Sequence, residues 1–564
     1  MKINPILAAD FYKVGHKFQY PQGTEEVYSN FTPRSSRLAN MPDGFDDQVV
    51  NFGIQGFIQW FLIDTFNEDF FARPKEEVLQ EYKTLVDTSL CCDMDVSHIA
   101  ALHDLQYLPI EIKALPEGAL VPVKVPVFTV VNTLPEFFWL TNYIETVLSS
   151  DNWKSITTAT TAFQYRKLLT KFAKMTGSPL DFVLWQGHDF SFRGQSGMFD
   201  AASSSAGHLI SFLGTDTIPA IQYLQKYYKG NETFVGGSVP ATEHSVMCAG
   251  GKESEVETFR RILKTYPTGV VSIVSDTWDF WNVITNIAST LKEDILARQP
   301  NAIGLAKTVF RPDSGDPVEI LCGVEIEEAN SYDDAEQILK YETEWEEGEE
   351  YGPVDMSKIF KIQDSYVKVT VTPEWNRHDK KFYYIDGWYE TKFEEVELTP
   401  EQKGAVQCLW EIFGGTETSE GYKLLDSHVG LIYGDSITLD RAEQIMTRLA
   451  AKGFASANVV FGIGSYTYQF VTRDTFGMAM KATHAVINGQ SSELFKDPVT
   501  DSGTKKSAKG YLRVEYENGK YVLYDQQTRE QEKQGCLQTV FKDGKAYNVQ
   551  SLDEIRNRIN SSLT

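Results

Sequence analysis

The sequence predicts an α/β protein organised around an irregular (β/α) barrel. Three observations carry that prediction. From about residue 180, short apolar runs recur along the chain, with helical patterns between several of them. The runs close in glycine or in polar residues. One stretch of different composition, roughly 324–420, interrupts this rhythm, which resumes after it. Strands buried on both faces read as continuous apolar runs, and their alternation with helices indicates a parallel sheet.

Taken in order, the runs are DFVLW then QGHDF, HLISFLGTD, TFVGGSVP then ATEH, GVVSIVSD, GLAKTVFRPDSG, SHVGLIYGD, ANVVFGIG and GMAMKATHAVI. SEVETFRRILKTY and LDRAEQIMTRLAAKG are helical candidates between them. Around eight such units suit a barrel, whose active site sits at the carboxyl ends of the strands. Those ends carry His188-Asp189, Asp216, Glu243-His244, Ser275-Asp276, Arg311-Pro312-Asp313, Gly434-Asp435 and Gly462-Ile463-Gly464-Ser465. An Asp at one such junction is often only a helix N-cap. Seven successive ends with charge, histidine or paired glycine exceed what capping requires.

The interruption divides in two. Between Val324 and Glu350 stand twelve Asp or Glu residues and a single Lys. That half reads as a solvated face or a mobile loop. From there to about Thr399, runs such as YVKVTVTPEW and KKFYYIDGWYE read as a short β-meander.

Composition bounds the function. The chain has 564 residues, enough for about three to four domain-sized units. Its apolar fraction of 42% supports a sizeable core. The net charge of −25 repels nucleic acid and anionic lipid, so neither is expected as a partner. The amino-terminal stretch lacks the apolar core of a signal peptide, and no apolar stretch is long enough to span a membrane. Six cysteines without a C-x-x-C pair read as thiols of a cytoplasmic protein.

The two late glycine ends, YGDS and FGIGS, suit a phosphate site, because glycine lets backbone N–H groups approach an anion closely. They could equally be tight turns. Arg193, Arg311, Arg473, Lys481, Lys496, Lys505 and Lys506 supply basic residues nearby, suggesting a substrate with more than one phosphate group. The chain has nine histidines but no H-x-H or H-x-x-x-H pair, so a protein-only metal site is not expected. Asp276 and Asp313 suit Mg²⁺ held partly by a substrate's oxygens. Phe190, in the loop that carries Arg193, could stack a flat heteroaromatic ring or simply fill the core.

A series of ordered segments resembles the nicotinamide phosphoribosyltransferases, which are type II phosphoribosyltransferases. They are DFYKVGHKFQYP, LPIEIKALPEG, FWLTNYIETVL, HDFSFRG, HLISFLGTDT, SVPATEHS, VSIVSD, RPDSGDP, GYKLL, TRD, FKDPVTD and the closing TVFKDGKAY with SLDEIR. The resemblance implies a barrel over 151–484 that holds the insertion 324–420. It also implies an α/β domain built from 1–150 with 485–564. The implied reaction joins nicotinamide to 5-phosphoribosyl-1-pyrophosphate, giving nicotinamide mononucleotide and pyrophosphate. The implied assembly is a homodimer with shared active sites.

Residue roles follow from the resemblance alone. Phe190 and the partner subunit's Tyr12, in a segment opened by Asp10, would stack the two faces of the nicotinamide ring. Asp216 would accept from the carboxamide, and Arg193 and Arg311 would line the ring and ribose. Asp313 would hold the ribose hydroxyls, with Asp276 nearby and Mg²⁺ on the pyrophosphate. Gly434, Asp435, Gly464 and Ser465 would cradle the 5′-phosphate beside Arg473 and Lys481. Arg34, Lys496 and Lys505 would meet pyrophosphate or a nucleotide. His244 would be phosphorylated by ATP, its ring oriented by Glu243 or another carboxylate. The chain departs from the family pattern at GIGSY, where Ser465 and Tyr466 replace glycines, and at Trp185 and Gly237. These departures and the insertion keep open a larger donor, such as an ADP-ribose pyrophosphate.

Overall fold

The computed structural model describes residues 4–344, 356–376, 381–383, 389–495 and 508–563. It is a mixed α/β chain that divides into two compact units. The first comprises Met1–Val239, Tyr433–Glu443 and Val459–Thr564, and the second Pro240–Ile432 and Gln444–Asn458.

In the first unit, both ends of the chain share one seven-stranded sheet. Its order is Gln490–Glu493, Ala479–Ile487, Thr24–Thr32, Phe128–Asn132, Ile110–Ala114, Gln538–Lys542 and Lys545–Ala546. Thr24–Thr32 pairs antiparallel with Ala479–Ile487 on one side and Phe128–Asn132 on the other. Alternation explains Ile110–Ala114: Ile110, Ile112 and Ala114 are buried, while Glu111 and Lys113 are partly exposed. Phe31 and Phe128 stack at 4.9 Å inside the same core. The last helix, Leu552–Ser561, begins at a reciprocal capping box between Ser551 and Glu554, which satisfies two otherwise orphaned N–H groups.

The longest helix, Glu145–Thr176, ends at Gly177, whose φ of 65° closes the last turn. Its buried middle, ITTATTA, is made of small and β-branched residues. Thr157, Thr160 and Thr161 each return a hydroxyl to the carbonyl four residues back, so burial leaves no donor unmet. Smallness permits close approach to the helix Met198–Leu209. A Cβ on Gly207 would stand 2.9 Å from the Ser155 carbonyl oxygen.

Parallel strands occur in both units. In the first, Val459–Ile463 pairs with Gly187–Asp189, which pairs with Gly214–Thr215. In the second, Val429–Tyr433 pairs with Ala306–Arg311, which pairs with Gly269–Val274. Val271 and Ile273 are fully buried, each worth about 1.5–3 kcal/mol of burial. The helix Glu255–Thr265 precedes that strand and packs inward through Phe259, Ile262 and Leu263, the 3.6-residue stripe expected of a core-facing helix.

Several expected elements differ. DFVLW is helical over 180–186 rather than extended. HLISF ends a helix. TFVGGSVP makes only isolated bridges, Gly214 with Gly237 and then Ala241 with Ser272. Paired glycines and Pro240, which lacks an N–H, leave that segment unable to sustain a ladder. GMAMKATHAVI is a strand, but an antiparallel one in the seven-stranded sheet.

The acidic half of the interruption contains a helix, Tyr332–Glu344, and not a loop. Asp333 and Asp334 lie in its first turn, favourable against the helix dipole. Ala335 and Leu339 are buried with Phe360, Ile362, Val367, Val369 and Val371 in a small separate core. The expected meander is present: Met356–Ile362 and Tyr389–Glu395 both pair antiparallel with Ser365–Asn376.

Candidate active site

The predicted residues form two sets, one in each unit. In the first unit, the strand Gly187–Asp189 ends at Phe190, whose N–H donates to the Ile463 carbonyl at 2.9 Å. Its half-buried ring lies against Gly462 and Gly434; a Cβ on Gly462 would collide with both. The His188 ring sits 5.0 Å from that of Phe190. His188 Nε2 donates to Asp216 Oδ1 at 2.8 Å, and Ser238 Oγ donates to the same oxygen at 2.5 Å. Asp216 keeps 45% of its side-chain surface exposed. An aromatic face thus has an oriented, accessible carboxylate beside it.

Beneath these loops lies Asp189, fully buried. One carboxylate oxygen accepts from Ser191 N–H at 3.0 Å and Ser191 Oγ at 2.7 Å. The other accepts from Thr215 Oγ1 at 2.9 Å and Thr217 Oγ1 at 2.7 Å. Burial opposes ionisation, but His208 and the hydroxyls outweigh it and hold the carboxyl below the usual range. Its own carbonyl accepts from Asp216 N–H at 3.0 Å. Asp189 therefore ties the Phe190 loop to the Asp216 loop. His208 is pushed down to about 4, chiefly by burial, and its ring bridges Tyr468 OH and the Gly214 carbonyl.

The glycine loops are close neighbours. Gly464 caps the short helix Ser465–Tyr468. A Cβ on Gly194 would collide with the Ser465 side chain, so the turn that carries exposed Arg193 packs directly on this loop. Gly434 and exposed Asp435 precede Ser436, held at φ 52°, a conformation non-glycine residues seldom adopt. Arg34 Nε donates to the Gly477 carbonyl at 2.6 Å. Its pKa is lowered by burial and, second, by the charge of Arg473, which places two guanidinium groups within electrostatic reach.

Asp10, Tyr12 and Lys481 belong to another part of this unit. Tyr12 is 62% exposed on the turn Phe11–Val14, and Thr146 Oγ1 donates to Asp10 Oδ2 at 2.8 Å. Tyr12, His16, Tyr20, Glu145 and Lys481 line a cavity of about 440 Å³. Lys481 is exposed on its strand, in register with Asn30. Lys496, Lys505 and Lys506 lie outside the described residues.

In the second unit, Glu243 precedes the short helix His244–Cys248 and accepts a hydrogen bond from Ser245 Oγ. The carboxylate facing the His244 ring is that of Asp276, with Oδ1 3.8 Å from Nε2. Thr277 Oγ1 lies 3.3 Å from Nδ1. The Asp276 side chain is 6% exposed while His244 is 49% exposed. Asp276 Oδ2 accepts from Asp313 N–H at 2.9 Å and Ser314 Oγ at 2.6 Å, whereas its buried Oδ1 has no hydrogen-bond partner. Arg311 Nη2 donates to the Thr242 carbonyl at 2.8 Å. Glu243, Asp276, Arg311 and Asp313 are thus gathered around the loops that flank His244.

Local spacing could not have found Ser238, Thr277 or Asp189 as partners, because their hydrogen bonds join strand ends distant in sequence. Among the described residues, no group of three or more His, Cys, Asp or Glu is placed to hold a metal. None of the described helices is long and apolar enough to cross a membrane. The six cysteines are free thiols.

Comparison with known proteins agrees with this geometry. The nicotinate phosphoribosyltransferase (NAPRTase) family matches residues 185–545, and the nicotinamide phosphoribosyltransferase N-terminal domain matches residues 4–112. The chain is 55% identical over 564 residues to a nicotinamide phosphoribosyltransferase of Acinetobacter baylyi, covering 100% of this chain and 98% of that one. It is 30% identical over 521 residues to the Mycoplasma pneumoniae protein of that name, covering 90% and 94%. A third, from Xanthomonas campestris pv. campestris, is 28% identical over 568 residues, covering 98% and 97%. Matches of this extent, over a chain whose strand ends carry these residues, mean that it belongs to the nicotinamide phosphoribosyltransferase family, within the wider nicotinate phosphoribosyltransferase family.

Proposed function

We propose that this chain transfers phosphoribosyl from 5-phosphoribosyl-1-pyrophosphate to nicotinamide, releasing nicotinamide mononucleotide and pyrophosphate in NAD salvage. The observation that carries the reading is the Phe190 ring with His188 beside it, orienting the exposed Asp216 carboxylate. A flat heteroaromatic amide would stack on Phe190 and donate its NH₂ to Asp216. A carboxylate in the amide's place would be repelled, which gives selectivity by exclusion.

The remaining roles follow the same chemistry. Backbone N–H groups about Gly434, Asp435, Gly464 and Ser465 suit the 5′-phosphate, with Arg34, Arg473 and Lys481 supplying positive charge. Arg193 and Arg311 line the ring and ribose, and Asp313 accepts from the ribose hydroxyls. Tyr12 of the partner subunit would stack the second ring face in a homodimer, and Asp10 would help hold its segment. Lys496 and Lys505 would meet the pyrophosphate. The fold is read as the irregular barrel of type II phosphoribosyltransferases, and the location as cytoplasmic.

The two carboxylates Asp276 and Asp313 fit Mg²⁺ shared with the donor's phosphates, because hard oxygen ligands from one or two acids suit that ion. When bound, it would neutralise charge on the leaving pyrophosphate. The chain's own work is to fix the anomeric carbon against the ring nitrogen and to exclude water. His244 is read as the acceptor of the ATP γ-phosphoryl group. A ring nitrogen bonds phosphorus as the β–γ bridge breaks and ADP leaves, while Asp276 and Thr277 hold the ring.

A second reading concerns the donor. Tyr466 and Phe470 are 54% and 81% exposed, their rings 4° from parallel with centroids 5.7 Å apart. They flank the phosphate loop and offer a flat face to the base of an ADP-ribose pyrophosphate. One experiment separates the readings. Purified protein with Mg²⁺ is given each pairing of nicotinamide or nicotinate with either donor, with and without ATP, and products are read by mass spectrometry. The first reading requires the mononucleotide from nicotinamide and phosphoribosyl pyrophosphate; its absence under all conditions refutes that reading.

A further inference from the structure

The helix Glu145–Thr176 buries a lysine that none of the proposed roles uses. Lys154 is 7% exposed along its side chain. Its ammonium group donates to Gln195 Oε1 at 2.5 Å, to Asp200 Oδ2 at 2.5 Å and to Gln469 Oε1. Three protons thus meet three acceptors, the full capacity of the group. Gln195 follows the Arg193 turn, and Gln469 follows the Gly464-Ser465 loop. The two loops are further tied to each other. Gln469 Nε2 donates to Ser196 Oγ at 2.7 Å, Ser196 N–H donates to Asp200 Oδ2 at 2.8 Å, and Gly194 packs on Ser465.

The geometry points to Lys154 as a positioning residue that locks the ring-binding loop to the phosphate-binding loop, so that each substrate improves the binding of the other. The physical reason is the kind of contact it makes. Lys154 holds both loops through side chains, not through the scaffold, and its removal would leave Asp200 and two amide oxygens without their shared donor in a dry setting. Each loop would then relax separately, and a substrate ordering one would no longer order its neighbour. The inference rests on the proposed reading of these loops. It extends that reading to a residue outside the ring and phosphate contacts.

The test uses the full chain and two-substrate steady-state kinetics, with melting temperature as a folding control. Lys154→Met keeps the stem and removes the donors; Lys154→Arg restores charge and donors; Lys171→Met, on the exposed part of the same helix, is the control. The wild type should show a lower KM for each substrate when the other is saturating. Loss of a charged hydrogen bond commonly costs about tenfold or more, so Lys154→Met should raise both KM values about tenfold. It should abolish their mutual dependence and change kcat less than threefold. Lys154→Arg should recover most of the loss. A rise in one KM alone, a loss confined to kcat, or both KM values within threefold of the wild type overturns the inference. If Lys154→Met does not fold, Gln469→Leu, which cuts the phosphate-loop side of the lock, decides by the same criteria. A wild type without any nicotinamide transfer would instead refute the underlying reading.

Discussion

Replacing Asp216 with Asn tests the basis of amide selectivity. The carboxylate receives two donors on Oδ1, His188 Nε2 at 2.8 Å and Ser238 Oγ at 2.5 Å. In the Asn variant, Oδ1 can keep both, which turns Nδ2 toward the ring substituent. Two unit charges 4 Å apart at an effective dielectric of 20 repel by about 4 kcal/mol. Asp216 is 45% exposed, so solvent screening reduces this to about 2 kcal/mol, a factor of about thirty against nicotinate. Nicotinamide in turn loses a hydrogen bond to a charged acceptor, worth about 1.5–3 kcal/mol, or roughly tenfold or more. The ratio of kcat/KM for nicotinamide over nicotinate should therefore fall by about 300-fold in Asp216→Asn. The assay measures both acceptors with the same donor, with the melting temperature checked alongside. A ratio within threefold of the wild type would refute the electrostatic argument, and selectivity would then have to come from shape.

Other predictions concern neighbouring groups. His244→Ala should leave basal transfer measurable but abolish its stimulation by ATP, and wild-type protein incubated with γ-labelled ATP should carry an acid-labile phosphate that the variant lacks. Asp189→Asn replaces one acceptor oxygen by a donor; with two charge-assisted bonds at stake, partly compensated by hydroxyl rotation, the cost should be about 2–4 kcal/mol. Native-state hydrogen exchange across 187–217 should show faster opening in that variant. Asp151 is raised to about 7 by burial and by the charge of Asp200. A raised carboxyl favours the fold when protonated, so its penalty grows as pH rises from about 4 to about 7 and then levels off. Asp151→Asn should accordingly raise the melting temperature most at pH 8, by the equivalent of about 4 kcal/mol at most, and hardly at all near pH 4. Glu117, also raised to about 7 by burial, keeps some of the dependence in place.

Legibility in the sequence followed burial. Gly269–Val274, Ala306–Arg311, Val429–Tyr433 and Val459–Ile463 were readable because strands covered on both faces are continuously apolar. The same signal misassigned Ala479–Ile487: a run of nine residues does not say which partner strand it meets, and here the partner is Thr24–Thr32, some 450 positions earlier. DFVLW failed for a related reason, since five apolar residues fit a buried helix as well as a strand. The acidic helix Tyr332–Glu344 was hidden because its inward face rests on only a few residues, Ala335 and Leu339 among them. In the candidate site, residue types were visible and partners were not. His244 was marked by its place at a strand end, but its pairing with Asp276 rather than Glu243 depends on how two loops meet in space.

The seven-stranded sheet has a consequence for how the chain is made. Thr24–Thr32 lies between Phe128–Asn132 and Ala479–Ile487. During synthesis its first neighbour emerges about a hundred residues later, and its second only after roughly 450. At about 5–20 residues per second, that edge waits on the ribosome for between about twenty seconds and a minute and a half with its N–H and C=O groups unpaired. An open edge is a template for any extended segment that passes, including the insertion's own strands, which are synthesised during the wait. The amino-terminal unit is therefore a late finisher despite being the first made, and its need for protection while nascent is set by the position of one carboxyl-terminal strand.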